Sequence, residues 1–285
     1  MIYCKASYIH KIMKKIITLI LITLISCQDV VEVDLETSKE RLVIEALIQW
    51  EKGTTGNEQT IKLSKTSSFY NEQIILATGA SVKVTNITTL QEFIFTETSN
   101  GIYQTTNFIP ILEDKYELTI SYKNEIFKAE ETLFNAPEII EITQSFEEGF
   151  TDEEPEINLI FQDFINQEDY YRIVIKQFRP SANEIIESDF FTYDARFEEN
   201  NIISAFYESD NFEIDDEFDI TIYKISEQFY NFIEVLVAQG DADFGPFASP
   251  PVNVKGNCIN TTIESNYPYG YFSLNQVNKE LYVFE

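Results

Sequence analysis

Lys115-Tyr116-Glu117-Leu118-Thr119-Ile120-Ser121-Tyr122 is the stretch that decides the fold class. Tyr116, Leu118, Ile120 and Tyr122 fall on one side of a period of two, and Lys115, Glu117, Thr119 and Ser121 fall on the other. That alternation is the signature of a β-strand with one buried and one wet face. Lys123-Asn124 follows as a two-residue turn, and Glu125 to Thr132 resumes the extended pattern, so a hairpin is predicted.

Moving toward the N-terminus, the same period recurs in Thr60 to Ser64 and in Ser81 to Thr85. Leu42 to Gln49, Gln91 to Thr96 and Gly101 to Thr105 complete a set of seven short strands. Strands at this spacing predict an antiparallel, immunoglobulin-like β-sandwich over residues 39–135. Trp50, the only tryptophan, ends the first long strand and is expected to pack on the core.

Asn135-Ala136-Pro137 closes this unit and marks the expected boundary with a second β-rich domain, residues 136–285. Strands are predicted at Glu138 to Thr143, Ile157 to Gln162, Tyr170 to Phe178, Phe190 to Tyr193 and Phe218 to Tyr223. Tyr170 to Phe178 is apolar on both faces, which suggests a central strand covered on each side. Residues 226–239 form the one amphipathic helix expected outside the N-terminus. Ser226 can cap it, Phe229, Phe232, Ile233 and Leu236 share its apolar face, and Gly240 can end it. Gly270 to Leu274 and Glu280 to Phe284 read as two closing strands.

The N-terminus is of another kind. Lys14-Lys15 precedes an aliphatic run that ends in Leu24-Ile25-Ser26-Cys27. Charge followed by a short apolar run and a small residue is the order of a secretory signal, and the run is well short of the roughly 20 residues that span a bilayer. Residues 1–26 are therefore expected to be a signal peptide, with Met13 a candidate true start. The ending resembles a bacterial lipobox, which makes Cys27 the expected lipidation site and residues 27–38 a lipidated tether. The acids of Asp29 to Glu36 resemble the signal that sends lipoproteins of Bacteroidota to the cell surface.

Removing residues 1–26 takes four of the 20 basic residues and none of the 48 acidic ones, so the net charge falls from −28 to −32. His10, the only histidine, leaves as well. Nucleophilic triads that rely on histidine, and the common zinc sites, are thereby excluded from the expected mature chain. Cys258 is then the only thiol beside Cys27, so the core rather than a disulfide must hold the fold. So acidic a chain lacks the basic footprint that nucleic acid requires. The 23 Phe and 16 Tyr supply ample core material.

Two features invite a site. Glu208 to Asp219 carries seven acids in twelve residues, and Glu147 to Glu156 six in ten. Asp215, Asp216, Glu217 and Asp219 are the calcium candidates, but their spacing lacks the glycine and final glutamate of an EF-hand, so a solvated loop is expected and no metal. Tyr267, Tyr269 and Tyr271 are the candidate ligand-contact aromatics, being rigid and amphipathic. The competing reading is a loop that feeds a strand with Tyr271 and Phe272 packed. A glycosidase would need two convergent carboxylates, and among 48 acids a chance pair means little.

An ordered series of short motifs gives a resemblance. Leu42-Val-Ile-Glu-Ala46, Ala80-Ser-Val82 and Gly101-Ile-Tyr103 come first. Phe218 to Ser226, Tyr230, Gly245-Pro-Phe-Ala-Ser-Pro250, Val254-Lys-Gly-Asn257 and Gly270-Tyr-Phe272 follow. In this order, behind a lipobox, they resemble the Bacteroidota outer-membrane lipoproteins grouped as domain of unknown function 4249. Cys258-Ile259 departs from the aliphatic residue and glycine-rich turn of that pattern. The resemblance implies an outer-membrane, surface-facing lipoprotein, with a TonB-dependent transporter as partner and no catalytic residues or cofactor. A non-catalytic binding or accessory subunit is therefore expected. The alternatives are a structural or assembly component of the envelope without a small ligand, and a carboxylate-dependent surface hydrolase.

Overall fold

The computed structural model describes residues 39–67, 73–145, 154–164, 168–195, 201–240 and 253–285. Among the described residues the protein is mainly β with one helix. Its strands are β1 (Leu42–Glu51), β2 (Gln59–Lys65), β3 (Ile75–Leu76), β4 (Ser81–Asn86), β5 (Glu92–Ser99), β6 (Ile102–Thr105), β7 (Lys115–Tyr122) and β8 (Glu125–Phe134). These are followed by β9 (Glu138–Ser145), β10 (Glu156–Gln162), β11 (Tyr170–Arg179), β12 (Glu184–Asp194), β13 (Ile202–Glu208) and β14 (Glu217–Ile225). Helix α1 (Glu227–Gly240), β15 (Ile259–Asn260) and β16 (Tyr269–Val283) complete the chain.

The β7–β8 hairpin forms as its sequence predicts. Tyr116, Leu118 and Ile120 are buried, and the register runs from Lys115 opposite Thr132 to Tyr122 opposite Glu125. Lys123 and Asn124 adopt φ values of 49° and 62°. Two positive φ angles define the type I′ turn, whose twist matches that of the flanking strands.

The immunoglobulin-like sandwich expected of residues 39–135 is not what these strands build. They run in the order β1-β2-β6-β5-β4-β7-β8, and β16 pairs with both ends of the series. Val43 to Glu51 lie parallel to Tyr269 to Val277, while Leu133 and Phe134 lie parallel to Leu274 and Asn275. Eight strands thus close into a barrel, which removes the open edges that a pair of separate sheets would keep. The inward residues form one core, with Ile44, Ile48, Ile61, Leu63, Val84 and Tyr103 all fully buried. Trp50 packs half-buried against it and donates its indole N–H to the Thr54 carbonyl at 2.9 Å.

The expected pair of closing strands is instead the single fifteen-residue β16. Its first half is a stave of the barrel. Its second half pairs antiparallel with β14, from Asn278 opposite Ile222 to Val283 opposite Glu217. β14 continues to β11 and β12, and a separate three-stranded sheet has the order β13-β10-β9. Ile157, Leu159 and Phe161 of β10 share a core with Tyr171, Ile173 and Ile175 of β11 and with Phe218, Ile220 and Ile222 of β14. The opposite face of β11 and β14 meets α1 through Tyr170, Tyr223, Ile225, Phe229 and Ile233. β11 is therefore covered on both faces, as its doubly apolar sequence requires.

Residues 39–285 form one compact unit. No helix among the described residues is long and apolar enough to cross a membrane.

Candidate functional site

Of the three tyrosines singled out from the sequence, Tyr269 and Tyr271 lie two residues apart on β16, and a strand places every second side chain on the same face. Tyr267 stands in the loop two residues before β16 begins and extends the row. Their surroundings change along the row. Tyr271 is 2% exposed and is stacked on Phe229 of α1, with ring centroids 4.4 Å apart; Phe232 lies 5.0 Å away. Tyr269 is half-buried, sits opposite Val43 of β1 and donates to the Asn253 side-chain oxygen at 3.1 Å. Tyr267 meets Tyr269 edge-on at 5.6 Å.

Two cations hold Tyr267. The Arg41 guanidinium lies 3.8 Å from the ring centre and donates to the carbonyls of Ser265 and Tyr267 at 3.1 and 3.0 Å. The Lys255 ammonium also stands 3.8 Å from that centre. Each contact gains about 0.5–1 kcal/mol at a partly exposed site. Sequence reasoning found the tyrosines but missed both cations, which are separated by most of the chain: the pairing of β1 with β16 brings Arg41 to Tyr267, and the loop that crosses β16 at Gly256 brings Lys255.

Beside Tyr269 opens a groove of about 430 Å³. Val43 and Tyr269 form its floor, Phe232 and Leu236 of α1 one wall, and Asn253 and Val254 the other. The helix is docked by a part-buried polar link. Ser226 accepts the Phe229 N–H at 3.2 Å as N-cap and donates to Glu131 of β8 at 2.9 Å. Burial pushes the Glu131 carboxyl above its usual range, although the Thr132 N–H and the hydroxyls of Ser226 and Tyr271 act against this.

The other wall depends on two glycines and one asparagine. A Cβ on Gly256 would fall 1.7 Å from the Gly270 carbonyl oxygen, so only glycine fits where the loop crosses β16. Asn257 then imitates a strand: it donates to the Phe272 carbonyl at 2.7 Å and accepts the Phe272 N–H at 2.9 Å. Cys258 follows, 5% exposed, with its thiol pushed up to about 12 by burial. A disulfide reagent at about pH 8 is expected to leave native Cys258 unmodified and to label it once denaturant is added. Labelling of the native chain at the rate of a free thiol would mean that this loop opens.

The calcium candidates do not converge. Asp216 is fully buried. Burial alone would raise its carboxyl, yet Arg179, the Glu213 N–H and Gln177 together hold it below the usual value. The distances are 3.1 Å from Arg179 Nε, 2.9 Å from Glu213 N and 2.7 Å from Gln177 Nε2. Asp215 is exposed at φ 72° and donates its N–H to the Phe284 carbonyl. Glu217 and Asp219 lie on the face of β14 opposite to the buried Phe218 and Ile220. Among the described residues, no three acids or thiols are grouped to hold a metal ion. Cys27, residues 146–153 of the acidic run and the motif at 245–250 lie outside the described residues.

The elements that build the groove are largely the ordered motifs of the sequence: Leu42 to Ala46, Val254 to Asn257 and Gly270 to Phe272. The family model described as Domain of unknown function (DUF4249) matches residues 28–280. The chain belongs to this family. Its Gly256-Asn257 and Gly270 owe their places in the DUF4249 chain to the loop crossing just described. No curated protein matches the sequence. Among solved structures, the chicken interferon gamma receptor alpha chain is similar at 8% identity and TM-score 0.22, over 65% of this chain and 87% of that one. The chicken CNTN1 FN1–FN3 domains are similar at 11% identity and TM-score 0.26, over 64% and 58%. The BSP domain of a biofilm associated protein is similar at 14% and 0.22, over 66% and 27%. At such scores the likeness carries neither fold nor function across.

Proposed function

We propose that this DUF4249 protein is a non-catalytic, lipid-anchored envelope protein: a surface-exposed binding or accessory subunit of a TonB-dependent outer-membrane transporter. In this reading residues 1–26 direct export, acylated Cys27 holds the protein in the outer membrane, and residues 27–38 are the tether. Two or more acyl chains make such an anchor firm.

The observation that carries the binding role is the tyrosine row, which runs from a packed end under α1 to a cation-held end at Arg41 and Lys255, beside an open groove. Pockets of about 300–1,000 Å³ with apolar walls and a few polar groups are the usual form of a small-ligand site. The groove also lies where the chain enters β1. Cys27 and Leu42 are fifteen residues apart, so the groove stays within about 50 Å of the anchor even with the tether fully extended.

A mild-detergent pull-down of the tagged chain from its own membranes tests the partner, with mass spectrometry of what accompanies it. Recovery of a TonB-dependent barrel in stoichiometric amount is the expected result. If acylated protein comes down alone, the transporter role is lost.

A further inference from the structure

The Tyr267 ring held by the two cations meets the ring of groove residue Tyr269 edge-on at 5.6 Å, so the cations and the groove are neighbours. Arg41 precedes groove residue Val43 by two positions, Lys255 directly follows groove residue Val254, and Tyr267 precedes groove residue Tyr269 by two. Tyr269 and Tyr271 are about 7 Å apart along β16 at the strand rise of ~3.3 Å per residue, and the Tyr267 ring lies 5.6 Å from that of Tyr269. One end of this strip is apolar, walled by Phe232 and Leu236; the other carries two positive charges.

The charge pattern of the whole chain makes that pair unusual. In a molecule of net charge −28, Lys62, Lys83, Lys115, Lys128 and Lys279 each stand within 3.3 Å of a glutamate. Arg41 and Lys255 instead share one aromatic ring, and neither pairs with a carboxylate among the described residues. Two like charges held together without a counter-charge repel each other. Both cations lie 3.8 Å from the centre of the same ring, and an anion bound beside Tyr267 supplies the counter-charge they lack and accepts charge-assisted hydrogen bonds from them.

We propose that this strip binds a linear amphiphile with one anionic head group, its apolar chain in the groove under the end of α1 and its head at Arg41 and Lys255. The proposal rests on the binding role given above and names its ligand class. A free carboxylic acid and a lipid phosphate share this chemistry. Specificity comes from the two ends together: a neutral chain leaves the cations unrelieved, and a small anion leaves the groove empty.

The test uses the full chain carrying Cys27→Ser, so that no detergent competes, titrated by calorimetry with octanoate, decanoate, dodecanoate, dodecyl phosphate, dodecanol and acetate. Each two-carbon extension of the carboxylate series is expected to tighten binding about tenfold, at ~0.8 kcal/mol per buried methylene. Lys255→Glu is expected to weaken dodecanoate about tenfold or more and leave dodecanol unchanged, whereas Leu236→Asp weakens both. Tighter binding of dodecanoate assigns a free fatty acid, and tighter binding of dodecyl phosphate assigns a phosphate-headed lipid. The proposal is overturned if dodecanol binds as tightly as dodecanoate, if Lys255→Glu changes nothing, or if no chain binds at all. Absence of binding alongside a copurifying transporter would remove this ligand class and leave the accessory role intact.

Discussion

Gly270→Ala is expected to destabilise the protein by about 4 kcal/mol, a large share of the roughly 5–15 kcal/mol that holds a typical domain folded. Two penalties add. Gly270 has φ +91°, where an L side chain is strained by about 1–3 kcal/mol. An added Cβ would also stand 2.0 Å from the Ile44 carbonyl oxygen and 2.7 Å from its carbon. Those are backbone atoms of β1, so relief requires β1 and β16 to part, and their pairing is one of the two seams that close the barrel. Gly53→Ala is the control. Its φ is +88° but nothing lies within 4 Å of the added carbon, so only the backbone strain of about 1–2 kcal/mol should be lost. Urea midpoints of the two variants would measure the difference, and equal losses would show that the close approach to Ile44 contributes nothing.

Lys224→Met is expected to cost about 3–5 kcal/mol near neutral pH, because it leaves a buried carboxylate without its counter-charge. Lys224 Nζ stands 2.5 Å from Asp169 Oδ1, with side-chain exposures of 12% and 1%. Burial raises the Asp169 carboxyl above its usual range even with Lys224 opposing it. Since the folded value is raised, the native state holds this proton more tightly than the unfolded chain does. Stability therefore falls as pH rises from the unfolded carboxylate range through the folded value. Removing Lys224 raises that value further. The Lys224→Met variant should accordingly recover part of its loss as pH is lowered and Asp169 becomes neutral. The double change Lys224→Met with Asp169→Leu should cost much less than the single one, since no buried charge is left. Chemical denaturation across a pH series decides this, and a loss independent of pH would point to the contacts of the Lys224 ammonium with the Phe164 and Phe134 rings rather than to an uncompensated Asp169 carboxylate.

The elements that were legible in sequence are those whose signals are local. The β7–β8 hairpin needs only its alternation and a two-residue turn, and α1 needs only an N-cap and an apolar stripe. β13 escaped because its buried set, Ile203, Ala205 and Tyr207, includes a small residue that weakens the alternation. β16 reads as two strands because Asn275, Gln276, Asn278 and Lys279 make its centre look like a polar break. In the fold Asn275 and Gln276 are buried. Asn275 donates to the Lys224 carbonyl at 2.5 Å, and Gln276 accepts the Ala136 N–H at 3.4 Å. Polar side chains become core residues when distant backbone satisfies them, and nothing near them in sequence announces those partners.

The candidate site divides in the same way. Tyr267, Tyr269 and Tyr271 declare themselves by composition and spacing, and a period of two places Tyr269 and Tyr271 on one face of β16. That Tyr271 is sealed under α1 while Tyr267 is held by Arg41 and Lys255 follows from contacts between elements. By itself, the sequence determined the β class, the helix and its cap, the hairpin turn and the acidic, histidine-poor character of the chain. Tertiary structure alone decided that the strands close into a barrel, because closure depends on β16 pairing in parallel with both β1 and β8. It also decided that Gly256 and Gly270 meet, and that two cations from opposite ends of the chain share one ring. Alternation and capping act over a few residues and are written where they act. Barrel closure and charge convergence join residues from 141 to 226 positions apart, and only the folded chain brings them together.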